Sequence, residues 1–267
     1  MAIEGLRHIL CPVDFSELSA LALRYASAFS RCGGAALTAL YANPFLPPAH
    51  ADSAQIAEFE EQFRNWHADA ALRLRAFTDA TLADPAVNTM VVEALPVDGI
   101  RTAAEQLGAD LVVVGTHGQG GENRLMLGSV AERILRESPV PVLTVRSPGE
   151  TLRLGHLLCA VNDTGAARRA FAWTVRMARC FGSRITTLHV GDQPRWVPPE
   201  VEYIVRQGEP AEQIVAAADE LNADMLVLGT QHRLFHGVHV IGNVTAMTVR
   251  HASCPVLTVI GTRMEKS

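Results

Sequence analysis

No part of this 267-residue chain approaches the run of roughly 18–20 apolar residues that a membrane helix needs. It also lacks a long basic block, and its formal net charge is −5, which argues against nucleic acid as a main partner. The opening MAIEGLRHILCPVDF has no basic segment leading into an apolar core and cleavage site, so a cytoplasmic protein is expected. Five cysteines, an odd number, occur without a CxxC pair, and reduced, mostly buried thiols are the plain expectation. Three nucleotide and hydrolase signatures are missing: the P-loop, G-x-G-x-x-G after the first strand, and the G-x-S-x-G elbow. No paired acid and base stands out, and no group is dedicated to orienting a water. No catalytic residue is therefore assigned, and at most weak hydrolytic activity would be expected.

What the chain does have is itself, twice. HILCPVDFSELSALALRYASAFSRCGGAALTALYA, from His8, aligns without a gap on HLLCAVNDTGAARRAFAWTVRMARCFGSRITTLHV, from His156. Cys11 falls on Cys159, Cys32 on Cys180 and Gly34 on Gly182. Further on, ADLVVVGT (109–116) matches ADMLVLGT (223–230), and SPVPVLTV (138–145) matches ASCPVLTV (252–259). The offset falls from 148 to 114 between these matches, which leaves the second copy 34 residues shorter.

In the first copy, nearly continuous Val, Leu and Ile runs at 8–13, 36–42, 89–94, 109–115 and 140–146 read as strands of a parallel sheet covered on both faces. Helices fall between them at 16–32, 54–80, 96–107 and 128–137. The second carries Ile56, Phe59, Phe63, Trp66, Ala70 and Phe77 at three- and four-residue steps, an amphipathic stripe expected to pack in the core. In the second copy, HVGDQPRWVPPEVEYIVRQGEP (189–210) replaces this segment with adjacent prolines and no long periodicity, so that helix is expected to be missing. The expectation is α/β: two tandem Rossmann-like open parallel five-stranded sheets flanked by helices. The domains span 1–147 and 153–267, with a short linker over 146–155.

GTHGQGGENRLMLGS (115–129) follows the fourth strand and holds five glycines, a heavy conformational cost that calls for left-handed torsions or close approach by another group. Ligands in open parallel sheets bind beyond the carboxyl ends of the strands, where the winding reverses. Asp14 ends the first strand, Gly115 ends the fourth, and a helix beginning near Gly128 and Ser129 would aim its N-terminus between them. Exposed N–H groups and the helix dipole there favour a phosphate. A nucleotide meets these needs, with Asp14 on a ribose hydroxyl and the loop on phosphates.

These residues carry a resemblance. Gly115, two residues, Gly118, nine residues, Gly128 and Ser129 are similar to the G-x2-G-x9-G-S/T motif of the ATP-binding branch of the universal stress protein family. CPVDFSE resembles that family's first strand and aspartate. The resemblance implies that Pro12, Val13, Asp14 and Ala42 surround adenine and ribose, and that Gly115, Gly118, Gly128, Ser129 and Val130 hold the phosphates of ATP, or of ADP or AMP; Asp14 could hold a divalent ion such as Mg through those phosphates, permitting slow turnover. It further implies a stress-response regulator with an unknown protein partner, whose two fifth strands associate within the chain, two chains then being able to form a homodimer. His117 is a candidate phosphate donor, and its place in a loop equally fits an ordinary exposed histidine.

The second copy departs from the motif: His232 stands for the middle glycine, Asn243 for the serine and Asn162 for the aspartate. One nucleotide per chain, in the first copy, is expected. Plainer readings stand beside these. SVAE (129–132) fits a capping box, and Asn243 would cap too. Asp14 could brace the first helix, and Glu122 and Arg124 fit a solvated turn. His232, His236 and His239 could bind zinc only if their loop converged them; surface histidines are the simpler reading, and no metal ligand is assigned.

Overall fold

Successive residues of a strand point to opposite faces, and in this protein both faces are covered. Ile9, Cys11 and Val13 enter one buried cluster while Leu10 enters the other. The computed structural model describes residues 5–42, 44, 53–82, 86–118, 127–146, 152–191, 196, 201–231, 233–235 and 238–261, with backbone alone at 53–61, 233–235 and 238–240.

The first repeat runs β1 (His8–Pro12), α1 (Glu17–Gly33), β2 (Ala36–Ala42), α2 (Ser53–Thr81), β3 (Asn88–Val92), α3 (Pro96–Gln106), β4 (Leu111–Gly115), α4 (Ser129–Glu137) and β5 (Val142–Val145). The second runs β6 (His156–Ala160), α5 (Gly165–Phe181), β7 (Arg184–Val190), β8 (Glu202–Arg206), α6 (Pro210–Glu220), β9 (Met225–Thr230), a hairpin of β10 (Arg233–Phe235) and β11 (Val238–Val240), α7 (Asn243–His251) and β12 (Val256–Ile260). Between β7 and β8 no helix occurs among the described residues, and the connection from 191 to 201 is too short for a helix of the 29 residues of α2, in line with the shortened repeat.

The two five-stranded sheets are halves of one ten-stranded sheet in the order β3-β2-β1-β4-β5-β12-β9-β6-β7-β8. Each half is parallel, and the halves meet where β5 pairs antiparallel with β12. The fifth strands, which would be edges in either repeat alone, are therefore central; β3 and β8 are the edges. Thr144 Oγ1 donates to the Val256 carbonyl and Thr258 Oγ1 to the Val142 carbonyl, both at 3.1 Å, a reciprocal pair set by the internal twofold. Both buried clusters run through this seam, one carrying Leu143 and Leu257, the other Val142 and Val256.

Local signals set the helices. Ser16 caps α1 by accepting from the Ser19 N–H, and Thr164 caps α5 by accepting from Ala167. Both end on a left-handed glycine, Gly34 at φ 67° and Gly182 at φ 70°, where a β-carbon would strain the backbone. The apolar stripe of α2 differs from its expectation. Ala70, Leu74 and Thr78 are buried and Phe77 packs on the core, whereas Phe63 and Trp66 are half-buried and stack on each other at 5.9 Å. Ile56 and Phe59 lie outside the described side chains.

The cysteines also depart in part from expectation. Cys11, Cys159 and Cys254 are buried free thiols, but Cys32 and Cys180 are joined by a disulfide, with 6.0 Å between their Cα atoms. The reason is the internal symmetry. Repeat-equivalent residues near the ends of α1 and α5 are brought together where these helices touch, beside the Phe29–Phe181 ring contact at 5.3 Å.

Candidate functional site

At the end of β1 the chain turns sharply. Phe15 adopts φ 65°, a left-handed conformation costly for a bulky side chain. It is held by packing on Tyr41 (4.7 Å) and Phe77 (5.5 Å), with the Arg73 guanidinium 4.7 Å above its ring. The turn sets Asp14 against the start of α1, where Asp14 Oδ1 accepts from the Ser16 N–H (3.1 Å) and from its hydroxyl (2.6 Å). The bracing role is thus real. Its other oxygen, Oδ2, lies so near Gly118 that a β-carbon at 118 would collide with it.

Close approach, not torsion, accounts for the motif glycines. None of Gly115, Gly118 and Gly128 is among the positive-φ residues. A β-carbon at Gly115 would meet Leu18 Cβ at 3.0 Å, and one at Gly128 would meet the Thr116 carbonyl oxygen at 3.0 Å. Gly128 N–H donates to that same carbonyl at 2.7 Å, closing the loop onto the end of β4.

The capping box is absent. Gly128, not Ser129, is the N-cap of α4, and no side chain satisfies the cap. Ser129 is the first helical residue, and Glu132 pairs along the helix with Arg136 at 3.7 Å instead of reaching back. Asn243 likewise is the first residue of α7, capped by Gly242 without a side-chain bond. The first turn of α4 therefore presents N–H groups that no side chain caps.

Pro12, Val13, Asp14, Ala42, Gly115, His117, Gly118, Gly128, Ser129 and Val130 all line one crevice of about 440 Å³. This volume falls within the few hundred to roughly 1,000 Å³ of ordinary small-molecule sites. Sequence reasoning missed Leu40, Tyr41, Thr116 and, from α3, Pro96 and Ile100. The apolar face of α3 was the available signal, but periodicity could not say that its first turn overhangs the site. His117 Nδ1 lies 3.1 Å from Thr116 Oγ1, while its Nε2 is buried without a partner. Burial first, and the nearby Arg146 guanidinium second, lower the His117 pKa and favour the neutral ring. Glu122 and Arg124 lie outside the described residues.

A second crevice of about 540 Å³ occupies the same place in the second repeat, with Pro210, Ile214 and Leu228 for Pro96, Ile100 and Val114. Asn162 Oδ1 accepts from the Thr164 N–H (3.0 Å) and hydroxyl (2.6 Å), reproducing the brace of Asp14. Asp163, the counterpart of Phe15, has no positive φ. His232 and His236 lie outside the described residues, as does the side chain of His239, so the zinc reading falls there; among the described residues no group of three or more His, Cys, Asp or Glu could hold a metal.

The family model described as the universal stress protein family matches residues 5–146 and 192–259. The chain belongs to the universal stress protein family. A universal stress protein of Methanocaldococcus jannaschii is 30% identical over 146 residues, covering 53% of this chain and 83% of its own. Another, of Thermus aquaticus, is 32% identical over 138 residues, covering 52% and 97%. Relatives of this size account for about one repeat each. The crystal structure of a universal stress protein from Archaeoglobus fulgidus superposes with a TM-score of 0.65 at 20% identity, covering 95% of this chain and 96% of that one. The fold is thus a tandem pair of universal stress protein units. Among the described residues no helix is long and apolar enough to cross a membrane.

Proposed function

We propose that the crevice of the first repeat binds an adenine nucleotide, ATP foremost, and that its occupancy sets partner choice in a stress-response regulator. The nucleotide-binding domain is residues 1–147, and residues 153–267 form a second domain that serves as its internal pairing partner. One observation carries the reading: a carboxylate, a glycine with no room for a β-carbon and a helix start uncapped by any side chain meet in one cavity of about 440 Å³. Pro12, Val13 and Ala42 supply apolar wall for a base, and Asp14 is placed to accept from ribose hydroxyls. Gly118 and Gly128 leave the backbone open to phosphate oxygens, and Ser129 and Val130 add N–H groups of the helix start.

Calorimetric titration with ATP, ADP and AMP, with and without Mg²⁺, tests this. One equivalent per chain is expected, with none bound by Gly118→His, which copies the second repeat's residue. Two equivalents, or none, would overturn the reading. Steady phosphate release abolished by Asp14→Ala would instead make the protein a slow ATPase.

A further inference from the structure

Arg146 immediately follows β5 and stands beside the crevice without lining it. Its Nε and Nη2 are buried with no hydrogen-bond partner. These two atoms form the fork with which a guanidinium grips two oxygens of a carboxylate or phosphate. Buried N–H groups of a cation are normally paired, because desolvating them without compensation is costly. Among the described residues no anion pairs with it. Cys254 is a buried thiol whose pKa is pushed up to about 12, and the His117 ring is held neutral.

The position points toward the crevice. Val145 pairs with Gly115, and its carbonyl accepts from the Thr116 N–H at 2.9 Å, so Arg146 lies next to the stretch carrying His117. His117 Nε2, which does line the crevice, is itself buried and unpartnered. The buried Arg146 fork and an imidazole nitrogen without a partner thus adjoin one end of the cavity. The repeat provides an internal control. At the equivalent positions Ile260 replaces Arg146 and Gln231 replaces His117, in the same copy that has Asn162 for Asp14. The cation is missing where the carboxylate is missing.

We propose that Arg146, assisted by His117, is the residue that reads phosphate-chain length, taking the outer phosphate oxygens of a nucleoside triphosphate. This rests on the nucleotide reading given above and adds a preference to it. A single phosphate is held at the α4 N-terminus. Only a chain extending past His117 reaches the guanidinium, and the ligand then brings the anion the protein does not provide.

The test is calorimetry with adenosine, AMP, ADP and ATP on the intact chain and on Arg146→Ile, Arg146→Lys and His117→Gln. Wild-type protein should bind ATP more tightly than AMP by on the order of 10- to 100-fold, the effect of hydrogen bonds to a charged group. Arg146→Ile should bring ATP down to the affinity of AMP. Arg146→Lys should keep part of the preference, since charge survives without the fork, and His117→Gln should reduce it by less than Arg146→Ile does. Without ligand, Arg146→Ile should melt no lower than wild type, because two buried N–H groups without acceptors have been removed. A wild-type protein indifferent to chain length, an unchanged ATP-to-AMP ratio in Arg146→Ile, or equal loss of both ligands overturns the proposal while leaving nucleotide binding intact. A lower melting temperature of Arg146→Ile overturns it too, by showing that the arginine has a structural partner. Failure of all four ligands to bind wild-type protein sinks the underlying reading.

Discussion

The two repeats offer the same hollow with different chemistry. Their crevices measure about 440 and 540 Å³, and proline, isoleucine and an aliphatic strand residue recur at matching places in the walls. Both begin with a short polar side chain whose Oδ1 braces the cap of the next helix. Asparagine performs that brace as well as aspartate because a single carbonyl oxygen suffices. The brace therefore cannot explain why the first copy carries a carboxylate. Beyond the brace, a handful of polar positions separate the copies: 14, 117, 118, 129 and 146 against 162, 231, 232, 243 and 260. Thr116 Oγ1 lies within hydrogen-bond distance of His117 Nδ1, whereas Thr230 Oγ1, with glutamine next door, is buried and unpartnered. Shape persists because it is the by-product of core packing; a polar set persists only where something uses it.

The comparison can be broken at its most symmetric point first. Oxidised protein should lose about 4–5 kcal/mol of stability in Cys32→Ser, and equally in Cys180→Ser, because either change opens a loop spanning 148 residues. Denaturant unfolding with and without reductant checks this, and unequal losses would show that the two sites are not equivalent. Next comes Gly118→His, which should weaken ATP by on the order of 100-fold or more, through steric conflict at Asp14 and the lost cradle for the ligand's charged oxygens. Asp14→Asn sharpens the contrast. The brace should survive, the melting temperature should hold, and ATP affinity should fall roughly 10- to 100-fold, the range for one charged hydrogen bond.

The smallest effect concerns acid. Burial, and after it the Arg184 guanidinium, lower the pKa of His156, whose Nε2 sits 2.8 Å from Thr186 Oγ1. His8 repeats the arrangement with Thr38, also at 2.8 Å, and its pKa is lowered chiefly by burial. Between the lowered folded value and the unfolded value near 6.5, the unfolded chain binds more protons. Stability is therefore full above that window and declines as pH falls through it. Melting curves between pH 7 and pH 5 should show this decline, and His156→Gln should reduce it.

Much of this architecture could be read from the chain. The duplication gave the two α/β units and the missing helix, and the glycine loop together with the family resemblance gave ten residues that line one crevice. The errors share a cause, which is that sequence patterns carry no third dimension. SVAE has the letters of a capping box, yet Gly128 takes the cap because the loop must fold back onto Thr116. Cys32 and Cys180 look unrelated at a separation of 148 until the internal twofold makes them neighbours. Arg146 looked like the first residue of a linker, since nothing in RSPGETLRLG shows that two of its nitrogens are buried.

The antiparallel seam has a consequence for traffic around the molecule. Because the strands of one half run opposite to those of the other, the two hollows open on opposite rims of a single stiff sheet. A visitor entering one mouth neither sees nor blocks the other. Whatever docks at the rim of the first hollow leaves the far rim open, and any effect of one on the other must travel through the sheet between them.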